Sequence, residues 1–107
     1  MAFFEIRQYE IRPGKMEEWI DFMQTKIIPF QVSQGMVVCG SYRGEDDDSV
    51  YFWIRRFDSE ADRERLYEAV YKSDTWVNTM ADKVGELIDR EKIVVNRVVA
   101  TSRSTMQ

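Results

Sequence analysis

Two short runs, residues 3–11 and 50–57, carry large apolar side chains on both parities of the chain. In a strand, residues of one parity share a face, so each run asks for cover on two sides. Phe4, Ile6, Phe52 and Ile54 form one set and are expected to pack under helices. The opposite set is Glu5, Arg7, Tyr9, Tyr51, Trp53, Arg55 and Phe57, bulkier and partly charged. In a single open sheet that second face would meet water, and a cluster of Tyr51, Trp53 and Phe57 in water is the kind of patch that marks an interface. The run at 93–99 repeats the pattern, with Ile93, Val95 and Val99 on one side and Val94 and Val98 on the other. The simplest cover is a symmetric partner, sheet against sheet, giving a homodimer with its helices outside.

Between these runs the period changes. Pro13-Gly14 ends the first strand, and Met16, Trp19, Ile20, Met23, Ile27 and Phe30 then recur at helical spacing. Pro29 is expected to kink or end that helix near Ile28, and Gly35 to stop it. Residues 36–43 and 50–57 read as a hairpin across the polar turn Gly44–Ser49. Ser59 followed by Asp62 opens a second helix with the look of a capping box, its apolar face carried by Leu66, Ala69 and Val70. Ser73-Asp74 begins a further helical segment through Trp76, Met80, Val84 and Leu87. A strand from Ile93 follows, and Thr101–Gln107 reads as a loose polar tail.

The order is β-α-β-β-α-β with an extra helix before the last strand, an α+β, ferredoxin-like pattern with a four-stranded antiparallel sheet. Ile6-Arg7-Gln8-Tyr9 is echoed by Ile54-Arg55-Arg56-Phe57, which suggests that the first and third strands are central neighbours, side by side and parallel.

Composition trims the functions open to such a fold. At 107 residues the chain is expected to form one domain, and 44% apolar against 32% charged residues describes a globular one. No histidine is present, which excludes a Ser-His-Asp triad, an H-E-x-x-H zinc site and proximal-His haem. Fifteen basic against nineteen acidic residues argue against a partner that is nucleic acid. No run approaches the ~18 apolar residues of a membrane span. Glu5 and Arg7 sit where a secretory signal would be apolar, and the lone Cys39 fits a reducing compartment, so a cytoplasmic location is expected.

Candidate chemistry gathers on one face. Arg7 and Arg55 can clamp a carboxylate or phosphate, with Glu5 as a counter-ion and Tyr9 as a hydrogen-bond donor. The same four residues can equally form a polar network that fixes register between subunits. Tyr51, Trp53, Trp76 and Trp19 can line a cavity for an aromatic ligand or serve as core. Asn96, flanked by valines, needs a polar partner: a ligand or a backbone group. Cys39 has no neighbouring base and reads as a small hydrophobe. Asp46–Asp48 does not match a calcium-loop spacing and reads as a solvated turn. No metal site and no cofactor motif is found.

The opening Phe4-Glu5-Ile6-Arg7-Gln8-Tyr9-Glu10-Ile11-Arg12-Pro13-Gly14-Lys15 resembles the Y-E-L-R-x-Y-x-x-x-P-G-K start of the NIPSNAP family. The Pro29 region, Trp53–Ser59 before Arg63-Glu64, and Ser73-Asp74-Thr75-Trp76 are similar as well, so the likeness covers about residues 3–100. It departs at Arg55, where members often carry tryptophan. The resemblance implies a dimeric α/β barrel, a fold shared with cofactor-free monooxygenases, and no defined activity. Three functions follow as expectations. The first is a homodimer binding a small aromatic or acidic metabolite in a pocket on the sheet. The second is a cofactor-independent monooxygenase acting on a phenol or quinol. The third is an interaction module without a ligand.

Overall fold

The computed structural model describes all 107 residues, Met1–Gln107. The elements are β1 (Phe3–Ile11), α1 (Met16–Phe22), a π-helical segment (Met23–Ile27), α2 (Ile28–Ser33), β2 (Val37–Arg43), β3 (Val50–Phe57), α3 (Glu60–Tyr71), α4 (Asp74–Thr79), α5 (Ala81–Leu87) and β4 (Ile88–Val98). The sheet order is β2-β3-β1-β4. This is the expected α+β, ferredoxin-like arrangement, including the extra helices before the last strand. No helix is long and apolar enough to cross a membrane.

Three local expectations change. Pro29 neither ends nor sharply breaks the first helix. A π-helical turn precedes it, and α2 follows with the proline in its first turn, where the missing N–H is least costly. The echo between β1 and β3 does not make them parallel: they pair antiparallel, as do all neighbours. The hairpin sets β3 antiparallel to β2, and β3 lies between β2 and β1, so β1 is parallel to β2, its non-neighbour. The third change is in β4, which starts at Ile88, directly after α5. Between Gln8↔Val94 and Glu10↔Asp89 its register with β1 shifts, so the stretch Arg90–Ile93 bows out of the ladder.

The largest correction concerns the faces. Glu5, Tyr9, Tyr51, Trp53, Arg55 and Phe57 are buried beneath the helices, and it is the Phe4, Ile6, Phe52, Ile54 set that lies on the open side. The bulkier face gains more from cover, and its charges bring their own partners with them, as described below. Tyr9, Tyr51 and Trp53 pack with Trp19, Phe22 and Met23 of the first helix and with Val84 and Leu87 of α5. A smaller core joins Phe3 and Phe57 to Met36, Leu66 and Val70. Ser59 and Ser73 cap α3 and α4 by accepting from the N–H groups of Asp62 and Trp76.

The tail is not loose. Val99–Met106 folds back over the open face beside Phe4, Ile6 and Ile54, and the Gln107 carbonyl accepts from Arg56 Nε at 2.8 Å. Phe4 and Ile54 are thereby only 4% and 7% exposed although they face away from the helices.

Candidate functional site

The β1–β3 register sets Glu5 opposite Arg55 and Arg7 opposite Trp53, all on the parity that faces the helices. α3 supplies the roof. Arg63, Tyr67 and Tyr71 stand four residues apart and so project from one side of that helix. Gln31 descends from α2.

Arg55 is the centre of the network and is fully buried. Its Nη1 donates to the Tyr71 hydroxyl at 2.7 Å and to Gln31 Oε1 at 2.9 Å. Its Nη2 donates to Glu5 Oε1 at 2.9 Å and to the Tyr67 hydroxyl at 2.7 Å. The guanidinium carbon lies 4.6 Å from the Trp53 ring centroid and 5.1 Å from that of Tyr67, so ring faces offset part of its desolvation. Burial alone would lower its pKa, but the neighbouring Tyr71 and Tyr67 hydroxyls and the Glu5 carboxylate outweigh that and raise it. Its Nε has no partner, nor do the indole N–H groups of Trp19 and Trp53.

Glu5 is the one buried carboxylate in the network and is 1% exposed. It accepts from Arg55, from the Tyr67 hydroxyl at 2.6 Å and, through Oε2, from Arg63 Nε at 2.9 Å. Burial pushes its pKa up, yet the hydrogen bonds from Tyr67 and Arg63 and the charges of Arg55 and Arg7 together hold it below the usual glutamate value. It is therefore ionised at neutral pH.

Arg7 is less well served. Its Nε donates to the Tyr9 hydroxyl at 2.9 Å and its Nη1 reaches Tyr67 at 3.5 Å. Glu5, already shared by Arg55 and Arg63, is 3.9 Å away. Arg7 Nη2 makes no hydrogen bond, although the side chain is only 18% exposed. Burial works to lower the Arg7 pKa, and the Tyr9 and Tyr67 hydroxyls raise it overall.

Arg7 lines a cleft of about 390 Å³ between the sheet and α3–α5. Tyr67, Tyr71 and Trp76 form an aromatic wall, with Tyr71 and Trp76 edge to face at 4.8 Å. Val84 and Ile93 provide apolar surface, and Arg90 stands at the rim. Arg90 donates to the Ala81 carbonyl and has no carboxylate partner. The cleft thus combines planar apolar walls with two guanidiniums that lack a close counter-ion of their own. It offers no base poised near neutrality. Glu5 stays ionised inside its network, and burial pushes the Tyr67 phenol up to about 12.

Of the residues singled out from sequence, Glu5, Arg7, Tyr9 and Arg55 are joined in one network, and Trp53 lies beneath Arg55. Trp76 lines the cleft. Tyr51 sits deeper in the core, its hydroxyl 2.5 Å from Ser41 Oγ. Asn96 is apart from all of these: it pairs with Ile6 and is exposed on the open side. Gln31, Arg63, Tyr67, Tyr71 and Arg90 escaped notice. The four-residue spacing of Arg63, Tyr67 and Tyr71 was the available signal. Asp47 accepts from the Ser49 N–H and hydroxyl within its own turn, and Cys39 is half-buried in β2.

A family model described as NIPSNAP matches residues 4–103. "Protein NipSnap homolog" of Dictyostelium discoideum is 30% identical over 89 residues, which is 82% of this chain. The chain spans only 39% of that protein's length. Among solved structures, a NIPSNAP family protein from Agrobacterium tumefaciens superposes with a TM-score of 0.85 at 20% identity, covering 100% of both chains. Another from the same organism, described as of unknown function, gives 0.88 at 20% identity over 99% of this chain and 94% of that one. An uncharacterized NIPSNAP-like domain protein from Burkholderia xenovorans gives 0.85 at 16% identity, over 96% of this chain and 88% of that one.

Proposed function

The chain belongs to the NIPSNAP family, and on that premise we propose that its cleft binds a small organic acid with a planar apolar body. The observation that carries this reading is Arg7, a mostly buried guanidinium with a free Nη2 and only a shared carboxylate at 3.9 Å. A ligand carboxylate supplies the missing counter-ion, and Trp76, Val84 and Ile93 receive the body. Isothermal titration with phenylacetate tests it. Wild type should bind, and Arg7→Met should weaken binding about tenfold or more. Absence of binding at millimolar acid, or an unchanged affinity in the variant, would refute it. Oxygenation of a phenol or quinol has less support, because the cleft holds no group suited to take a proton near neutrality.

The open sheet face supports a homodimer, through a surface other than the one the sequence suggested. Tyr51, Trp53 and Phe57 are already covered within the chain. In their place, Ile6 and Phe52, the exposed Tyr42, Val94 and Val98, and the uncharged Gln8 and Asn96 occupy the open side. The centre of that face is free of charge, with Arg56 and Glu10 at its two ends, and an uncharged centre in a chain that is 32% charged has the composition of an interface core. A second copy laid face to face covers it by symmetry, as the dimeric barrel does. Light scattering should give twice the chain mass, and Phe52→Glu should give monomer; a monomeric wild type at micromolar concentration would refute the assembly. The single half-buried thiol, Cys39, supports a reducing, cytoplasmic setting.

A further inference from the structure

The cleft's polar lining is made entirely of donors, which narrows the ligand class beyond "an acid". A phenol has two lone pairs and one proton to place. At Tyr67 all three are engaged: it accepts from Arg55 and Arg7 and donates to Glu5. At Tyr71 both lone pairs are engaged, by Arg55 Nη1 at 2.7 Å and Gln31 Nε2 at 3.2 Å. The orientation of the Gln31 amide is fixed by Arg55, since its Oε1 must accept from Nη1 at 2.9 Å; the flipped amide would set donor against donor. Nothing in the chain accepts the Tyr71 proton, and Tyr71 lines the cleft. Its O–H is the proton of the network left without an acceptor, and the guanidinium behind it strengthens it as a donor. Arg7 and Arg90 can only donate.

Building on the acid-binding reading, we propose that the cleft selects acids carrying a second acceptor beside the carboxylate, namely 2-oxo acids with an aromatic or similarly planar body. The carboxylate takes Arg7 and the oxo group takes the Tyr71 hydroxyl. Gln31 and Arg55 act as positioning residues that commit Tyr71 to donation. A 2-ammonio group would set donors against donors, and a 2-hydroxyl would leave its own proton unaccepted.

Four ligands of one skeleton test this by titration calorimetry: benzoylformate (2-oxo), mandelate (2-hydroxy), phenylglycine (2-ammonio) and phenylacetate (unsubstituted). Benzoylformate is expected to bind about tenfold tighter than phenylacetate, mandelate between them, and phenylglycine not measurably. Tyr71→Phe, which leaves Arg55 Nη1 its bond to Gln31, should bring the affinity ratio of benzoylformate to phenylacetate down to within about twofold of one. Benzoylformate no tighter than phenylacetate on wild type, or a variant that weakens every acid alike, overturns the selectivity while acid binding stands. Failure of all four acids to bind overturns both readings. The wild-type ranking needs no variant, so a Tyr71→Phe chain that fails to fold still leaves the proposal decidable.

Discussion

Replacing Glu5 by glutamine should be among the most damaging substitutions in this chain although it conserves shape. The carboxylate accepts from Arg55, Arg63 and Tyr67, with Arg7 at 3.9 Å. A glutamine oxygen can keep the Arg55 and Tyr67 bonds, but its NH2 must then face Arg63 Nε, donor against donor, and three guanidiniums lose their only common anion. Removing one partner of a buried pair costs about 3–5 kcal/mol. At roughly 4–8 °C per kcal/mol for a domain of this size, Tm falls by at least about 12 °C. Urea unfolding followed by tryptophan fluorescence at pH 7 measures the loss. The double variant Glu5→Gln/Arg55→Met should recover part of it, because the buried charge leaves with its partner. The pH dependence has a definite sign. Glu5 has a folded pKa below its ordinary value of 4.5, so its contribution is complete above 4.5 and is lost as pH falls through the lower folded value. The gap between wild type and Glu5→Gln should therefore narrow below pH 4.5. A variant within about 1 kcal/mol of wild type at pH 7, or a gap that stays constant on acidification, would refute the claim that the carboxylate charge holds this core together.

Two further outcomes follow from burial. Tyr51 and Tyr67 should ionise only at about 12, pushed up chiefly by burial. An alkaline absorbance titration should show this late step, above the ordinary phenol value of 10.0, with stability falling between those two values because the folded state retains the protons longer. Deleting residues 101–107 should expose Phe4 and Ile54 and destabilise the chain by about 1–3 kcal/mol, read as a lower urea midpoint; an unchanged midpoint would show that the tail's cover is not needed.

The element order was legible because each segment advertises its period: two in the strands, three to four in the helices. The assignment of faces was not. Ranking faces by apolar character sends Glu5, Arg7 and Arg55 to the side away from the helices, whereas one carboxylate shared among guanidiniums and phenols makes their burial under the helices tolerable. Pairing between distant residues is invisible to a local pattern. The same blindness hid half of the site. The strand pattern yields Glu5, Arg7, Tyr9 and Arg55, but the helical period of α3 marks Leu66, Ala69 and Val70, and the stripe of Arg63, Tyr67 and Tyr71 beside them goes unmarked. Gln31 gives no sequence signal beyond standing one turn after the buried Ile27.

The bowed stretch of β4 has an evolutionary corollary. Arg90 and Ile93 reach the cleft from a place where one residue of β1, Tyr9, spans four on its neighbour. Length or chemistry can change there while the ladder on either side keeps its alignment. The mouth of the cleft is thus free to change without renegotiating the core beneath it.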